Sequence, residues 1–275
     1  MVRIVADSSC DLFTVDHEDF RTVPLTIYTD ERSFLDDENL NVTEMLDYLE
    51  KYKNRSYTSC PSIDAWSEAF DGAKEIIVLT VTSALSGSYN SALIAKQMYQ
   101  EKNPDVRIEV IDSLSTGAEE VLALNKMVSL IKERLSFEEI IETMREYIRK
   151  SRLFFSFFSI HNLAQNGRVN KTVAAALNVL NISIIGTATE YGKISVTSKA
   201  RGEKKSLQIL VEEMKKAGYS GGKAIITHTE NETAANSLKE LVLKDYPEAD
   251  IKIVPTRGLC SYYMERKGVV ISCEI

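Results

Sequence analysis

The chain has 275 residues, more than one small core usually organises, and its 33 basic and 40 acidic side chains leave a net charge of −7. That balance is opposite to the basic footprint of a protein that tracks phosphate backbones, so nucleic acid is not an expected partner. With 44% hydrophobic residues, 12 Gly and 5 Pro, the composition excludes disordered and collagen-like chains.

The first half alternates β-branched runs with helical patterns. Strands are expected over residues 2–6, 23–28, 75–81 and 106–111, and helices over 43–51, 62–72 and 88–101. Such alternation argues for parallel βαβ units. Two longer amphipathic stretches follow, 119–134 and 137–150, read as surface helices covering a sheet. Ser136 and Glu139 have capping-box spacing at the start of the second. From about Phe154 the pattern changes, and a second domain is expected to start there, giving domains over 1–153 and 154–275. It holds an aromatic run (Phe154, Phe155, Phe157, Phe158), a short helix over 169–180 and a hairpin turning at Tyr191-Gly192-Lys193. Further on, helices are read over 203–217 and 232–244, and strands over 223–228, 251–254 and 269–273. The fold class is α/β: an N-terminal, mostly parallel sheet flanked by helices, plus a smaller C-terminal α/β domain.

Cys10, Cys60, Cys260 and Cys273 lack CxxC spacing, and His17, His161 and His228 lack helical pairing. Free thiols are the simplest reading, and neither metal nor cofactor is implied. The opening apolar run ends at Asp7, too short for a signal peptide or a membrane span, so a cytoplasmic protein without stable membrane insertion is expected.

In an open parallel sheet, ligands bind beyond the carboxyl ends of the strands. The segments there are rich in hydroxyls: Asp7-Ser8-Ser9, Thr82-Ser83-Ala84-Leu85-Ser86-Gly87-Ser88 and Asp112-Ser113-Leu114-Ser115-Thr116. Thr58-Ser59-Cys60-Pro61-Ser62 precedes a helix. Taken singly, each reads as an N-cap. Four converging on one sheet edge point instead to a small anionic head group. No Lys or Arg lies in these loops and no phosphate-binding glycine motif occurs, which favours a single carboxylate or phosphate over a nucleotide polyphosphate. Hydroxyl hydrogen bonds contribute only about 0.5–1.5 kcal/mol net each, whereas burying an alkyl chain contributes roughly 0.8 kcal/mol per methylene. A long apolar tail would therefore suffice for affinity, and the Phe154 to Phe158 run is a candidate lining for it, although such a run is more often plain core.

Several segments occur in an order that resembles the DegV family of fatty-acid-binding proteins, which serve bacterial fatty acid kinases. They are Asp7-Ser8-Ser9-Cys10-Asp11-Leu12, Val23-Pro24-Leu25, Thr58-Ser59-Cys60-Pro61-Ser62, Leu85-Ser86-Gly87-Ser88-Tyr89-Asn90-Ser91-Ala92, Val110-Ile111-Asp112-Ser113 and Asn166-Gly167-Arg168-Val169. The resemblance implies two α/β domains enclosing one long-chain fatty acid in a tunnel. Hydroxyls matching Thr58 and Ser86 would hold its carboxylate, with Ser59, Gly87 and Ser88 beside them. It further implies a non-catalytic carrier whose cargo a separate kinase subunit phosphorylates to an acyl phosphate for phospholipid synthesis. Arg201 matches a basic position facing that kinase; the alternative is a solvated surface arginine. Arg168 is given a structural role. Where the family carries a His near its C-terminal end, this chain reads Cys260-Ser261-Tyr262-Tyr263, so Tyr262 or Tyr263 is expected to replace it. A phenol donates a hydrogen bond as a neutral imidazole does but brings no positive charge. Glu119 and Glu120 stand near an expected Gly-rich turn, and Ile182-Ser183-Ile184 replaces the family's Ile-Lys-Pro.

Three rival readings stand beside this one. The same fold could carry a different amphipathic acid. A serine ester hydrolase would use Ser86, His228 and Asp7 or Asp112, without the GxSxG elbow. An Asp7 phosphotransferase would lack the second acid two residues on, which is Ser9.

Overall fold

A computed structural model of the chain describes residues 2–170 and 181–275, and most of the short helix expected over 169–180 lies outside them. Strands β1 (Val2–Asp7), β2 (Phe20–Val23), β6 (Glu75–Thr80) and β7 (Arg107–Asp112) form a parallel sheet in the order β2-β1-β6-β7. Ile4, Val5, Ile77 and Val78 are fully buried because helices cover both faces, which gives the unbroken apolar runs of a parallel sheet. On one face, α2 (Ile63–Phe70) and α3 (Ser88–Lys102) close a core around Trp66 and Phe70. On the other, α4 (Ala118–Lys132) and α5 (Phe137–Arg149) close a second around Leu124, Met127 and Met144. The expected capping box of Ser136 and Glu139 is present at the start of α5.

The single strand expected over 23–28 is two strands in different sheets. Pro24 has no N–H to donate, so the ladder stops at Val23. Pairing resumes in β3 (Thr26–Tyr28), the centre of an antiparallel sheet with β4 (Ser33–Leu35) and β5 (Tyr57–Ser59). Helix α1 (Val42–Lys51) buries Met45 and Leu46 against it, with Ile27 in the same cluster.

A six-stranded sheet occupies the rest, in the order β10-β9-β8-β13-β11-β12. Its members are β8 (Ser151–Phe157), β9 (Ile182–Ala188), β10 (Ile194–Arg201), β11 (Ala224–His228), β12 (Ile251–Pro255) and β13 (Val269–Glu274), and all pairs are antiparallel except β11 with β12. Two further helices, α7 (Glu203–Lys216) and α8 (Glu232–Asp245), share a core with its outer face. The hairpin expected at Tyr191-Gly192-Lys193 joins β9 to β10. Short helices α6 (His161–Gln165) and α9 (Gly258–Met264) complete the chain.

Helix α4 departs from the surface helix expected of it. Leu124 and Met127 pack toward the parallel sheet, while Ala118, Val121 and Leu122 pack toward the inner face of the six-stranded sheet. Apolar residues on two sides let one helix serve two sheets, and Glu119 and Glu120 are buried with it.

Candidate functional site

The carboxyl ends of β1, β6 and β7 face the inner side of the six-stranded sheet, and an almost wholly apolar cavity lies between them. Counting its mouth, it holds about 890 Å³ of atom-free space. Its wall draws on Leu25, Thr58, the 81–86 loop, residues 115–118, strand β8, the β9–β10 turn and α9.

The period of two along β8 builds much of this wall. Leu153, Phe155 and Phe157 project to the inner face and line the cavity, whereas Phe154 projects outward into the core under α7 and α8. The aromatic run is therefore divided between lining and core. From Phe157 to Leu153 the strand rises about 13 Å, four steps of roughly 3.3 Å. Met264 and Val270 also contribute to the apolar wall.

One end is polar. Thr58 Oγ1 and the Tyr263 hydroxyl lie 2.7 Å apart and share a hydrogen bond, and burial pushes the Tyr263 phenol above its ordinary range, so it stays a neutral donor. Ser86 lines the same cavity; its Oγ accepts from Ser88 N at 3.2 Å. Arg168 lies beside them, with its guanidinium 5.6 Å from the Tyr263 ring centre. Its Nε donates to Leu85 O at 3.1 Å and its Nη1 to Asn166 O at 2.7 Å. Neutral donors backed by one guanidinium suit a single anionic group.

Most of the other hydroxyls tie the loops together. Asp7 accepts from Val81 N and from the Ser9 and Ser88 side chains, which fastens the 81–88 loop to the end of β1. Ser8 Oγ accepts from Leu25 N at 3.0 Å, and Ser113 Oγ donates to Ser115 O at 2.9 Å. Ser88 is thus bonded to Asp7 rather than set in the wall. Ser59 and Gly87 flank lining residues without lining the cavity. Tyr262 is fully buried outside it, bonded to Ser56 and Asn166, with its phenol pushed up to about 12 by burial. Arg201 is exposed at the end of edge strand β10.

Helix α9 brings Cys260, Tyr263 and Met264 to the cavity because two internal carboxylates hold its start. Asp36 accepts from Gly258 N at 2.7 Å and Leu259 N at 2.9 Å, and Asp11 accepts from Arg257 N at 2.6 Å. A side chain at Gly258 would meet Asp36 Oδ1 at 2.6 Å, so only glycine lets this segment approach so closely.

Sequence reasoning reached Thr58, Ser86 and Tyr263 of this wall, and it gave Arg168 only a structural role. It passed over Leu153, Leu163, Met264 and Val270, which look like any core residue until folding brings them together. Gly167, with φ of 75°, sets the turn before Arg168 and was the local sign available. Among the described residues no hydrogen bond joins Ser86 to His228, whose Nδ1 accepts from Asn231 N at 3.2 Å, and Asp112 accepts from Ser83 N and Leu114 N. No group of acidic, His and Cys side chains among the described residues is arranged to hold a metal, and no helix among them is long and apolar enough to cross a membrane.

A family model described as an uncharacterised protein of the DegV family matches residues 1–274. A DegV domain-containing protein of Streptococcus pneumoniae is 42% identical over 277 residues, covering 99% of each chain. Two solved structures each superpose with a TM-score of 0.97 and cover 100% of this chain and 99% of theirs. One is a DegV family protein from Eubacterium eligens loaded with heptadecanoic acid, 47% identical. The other is the fatty acid kinase (Fak) B3 protein of Streptococcus pneumoniae loaded with linoleic acid, 41% identical.

Proposed function

The chain belongs to the DegV family, and from that premise we propose that it carries a long-chain fatty acid in the cavity between its sheets and presents the carboxylate to a separate kinase subunit for phosphorylation. The observation that carries this reading is the polarity of the cavity: an apolar wall along β8 that ends at Thr58, Ser86, Tyr263 and Arg168. The fatty acids bound by the Eubacterium and Streptococcus proteins support it.

Affinity and placement divide between the two parts. At roughly 0.8 kcal/mol per buried methylene the tail supplies most of the binding free energy. The hydroxyls and Arg168 orient the head, fix which end enters and leave the carboxylate at the polar mouth. In this reading the chain supplies no catalytic residue; transfer of phosphate belongs to the partner, with Arg201 on the surface that meets it. Of the two tyrosines expected to replace the family's histidine, Tyr263 is the one that lines the cavity, and its phenol gives head-group binding no charge change near neutral pH. A different amphipathic acid as cargo remains the second reading, favoured by that same tyrosine.

Native mass spectrometry of protein purified from a bacterial host tests the proposal. The account expects a bound species of fatty acid mass in the wild type and about tenfold weaker retention in a Thr58→Ala, Ser86→Ala double variant, at roughly 0.5–1.5 kcal/mol per hydroxyl lost. Equal retention by the double variant would remove the head-group assignment, and a wild type that neither co-purifies with a fatty acid nor takes one up would remove the cargo.

A further inference from the structure

The inner face of the six-stranded sheet has one row in which a wide side chain and an absent one are neighbours. Phe155 on β8 is paired with Gly186 on β9, which is in turn paired with Val196 on β10, and on the other side Phe155 is paired with Val270 on β13. A Cβ at Gly186 would stand 2.3 Å from Phe155 Cζ, 2.8 Å from its Cε1 and 2.3 Å from the backbone oxygen of Ser195 on β10. The Phe155 ring therefore occupies the space a side chain at 186 would fill. It lies over the neighbouring strand instead of standing upright from its own. Phe157 stacks on it, with ring centres 4.5 Å apart and planes 19° from parallel. Phe155 and Val270 line the cavity, so this ring is part of the floor along which an apolar chain passes, one step short of Leu153.

We propose that Phe155 and Gly186 act together as the width-setting element of the cavity and select between straight and bent acyl chains; this rests on the fatty acid reading above. With Gly186 beneath it the ring is lowered and the passage at mid-wall keeps a defined width. An upright ring would narrow the passage, and a smaller side chain at 155 would widen it. A saturated chain can lie extended in a narrow passage and gains contact on all sides. A chain with a cis double bond turns sideways part-way along and needs lateral room. Close-packed walls discriminate between such shapes because lost contacts and overlaps both cost free energy. Phe155 faces only the tail and Gly186 acts through its ring, so their influence falls on which acid is chosen and leaves the head-group contacts of Thr58 and Tyr263 unchanged.

The test is a competition in which purified protein, stripped of lipid, is offered equal amounts of a saturated acid and its cis mono-unsaturated counterpart of the same carbon number. The bound ratio is read by native mass spectrometry. Because the two acids compete for one sample of folded protein, the ratio is independent of how much of a variant folds. Phe155→Leu is expected to raise the ratio of bent to straight chain by about threefold or more. A ratio unchanged in Phe155→Leu overturns the proposal, as does loss of both acids from that variant while the wild type holds both, since Phe155 would then be needed for binding itself. If the wild type takes up neither acid, the fatty acid reading falls and this proposal with it.

Discussion

Ser9 donates one proton, yet its hydroxyl lies within hydrogen-bonding distance of both Asp7 and Glu120. It can donate to only one of them and must accept from the other, so one of these two acids carries a proton. Burial is the main cause in both cases, holding Asp7 above its ordinary range and Glu120 well above. Two more buried acids hold α9 in place: burial raises Asp11 to about 8 and Asp36 to about 6. Each is therefore more protonated in the folded chain than in the unfolded one, where an aspartate titrates near 3.8. The stability these two groups contribute is therefore lost as pH rises from about 4 to about 8. Asp11→Asn keeps the acceptor for Arg257 N and removes the group with the higher of the two values. Its denaturation midpoint should decline less than that of the wild type between about pH 5 and 8; an identical decline would show that Asp11 does not titrate with folding.

At the scale of elements, the sequence was most legible where one local rule governed. The parallel βαβ order, the capping box at Ser136 and the hairpin at Gly192 follow from periodicity and turn residues that act over a few positions. Helix α4 was misread because amphipathic spacing describes how much apolar surface a helix has, not how many sheets will use it. The division of the 23–28 strand was written in Pro24 but masked by the apolar residues on either side. The β9–β10 turn shows a close fit that no sequence pattern announces. Gly192 has φ of 71°, and a Cβ there would lie 2.0 Å from Thr82 Oγ1 and 2.9 Å from Leu114 O, so the turn rests directly on the loops of the parallel sheet. Gly192→Ala should lower stability by roughly 1–3 kcal/mol in a denaturant titration, combining backbone strain with this overlap. A midpoint equal to that of the wild type would mean that the turn does not seat on Thr82.

The whole molecule is a stack in which the parallel sheet, helix α4 and the six-stranded sheet follow one another, and the cavity opens where the strand ends of the first meet the inner face of the last. The Ser86 side of the site was legible because open sheets bind ligands beyond their strand ends, where the loop after β6 carries it; Thr58 sits mid-strand on β5 of the antiparallel sheet and was reached through its segment's family resemblance. The apolar side was not, since Leu153, Leu163, Met264 and Val270 reach the cavity only through contacts between segments far apart in sequence. In the proposed binding mode the acid has a direction: head at Thr58, Tyr263 and Arg168, tail along Phe157 and Phe155 toward Leu153 and Ala188. A crystal of the protein with a fatty acid brominated at its terminal carbon reads that direction from anomalous scattering. The account predicts a bromine peak beside Leu153 and Ala188; a peak beside Tyr263 and Arg168 would contradict it.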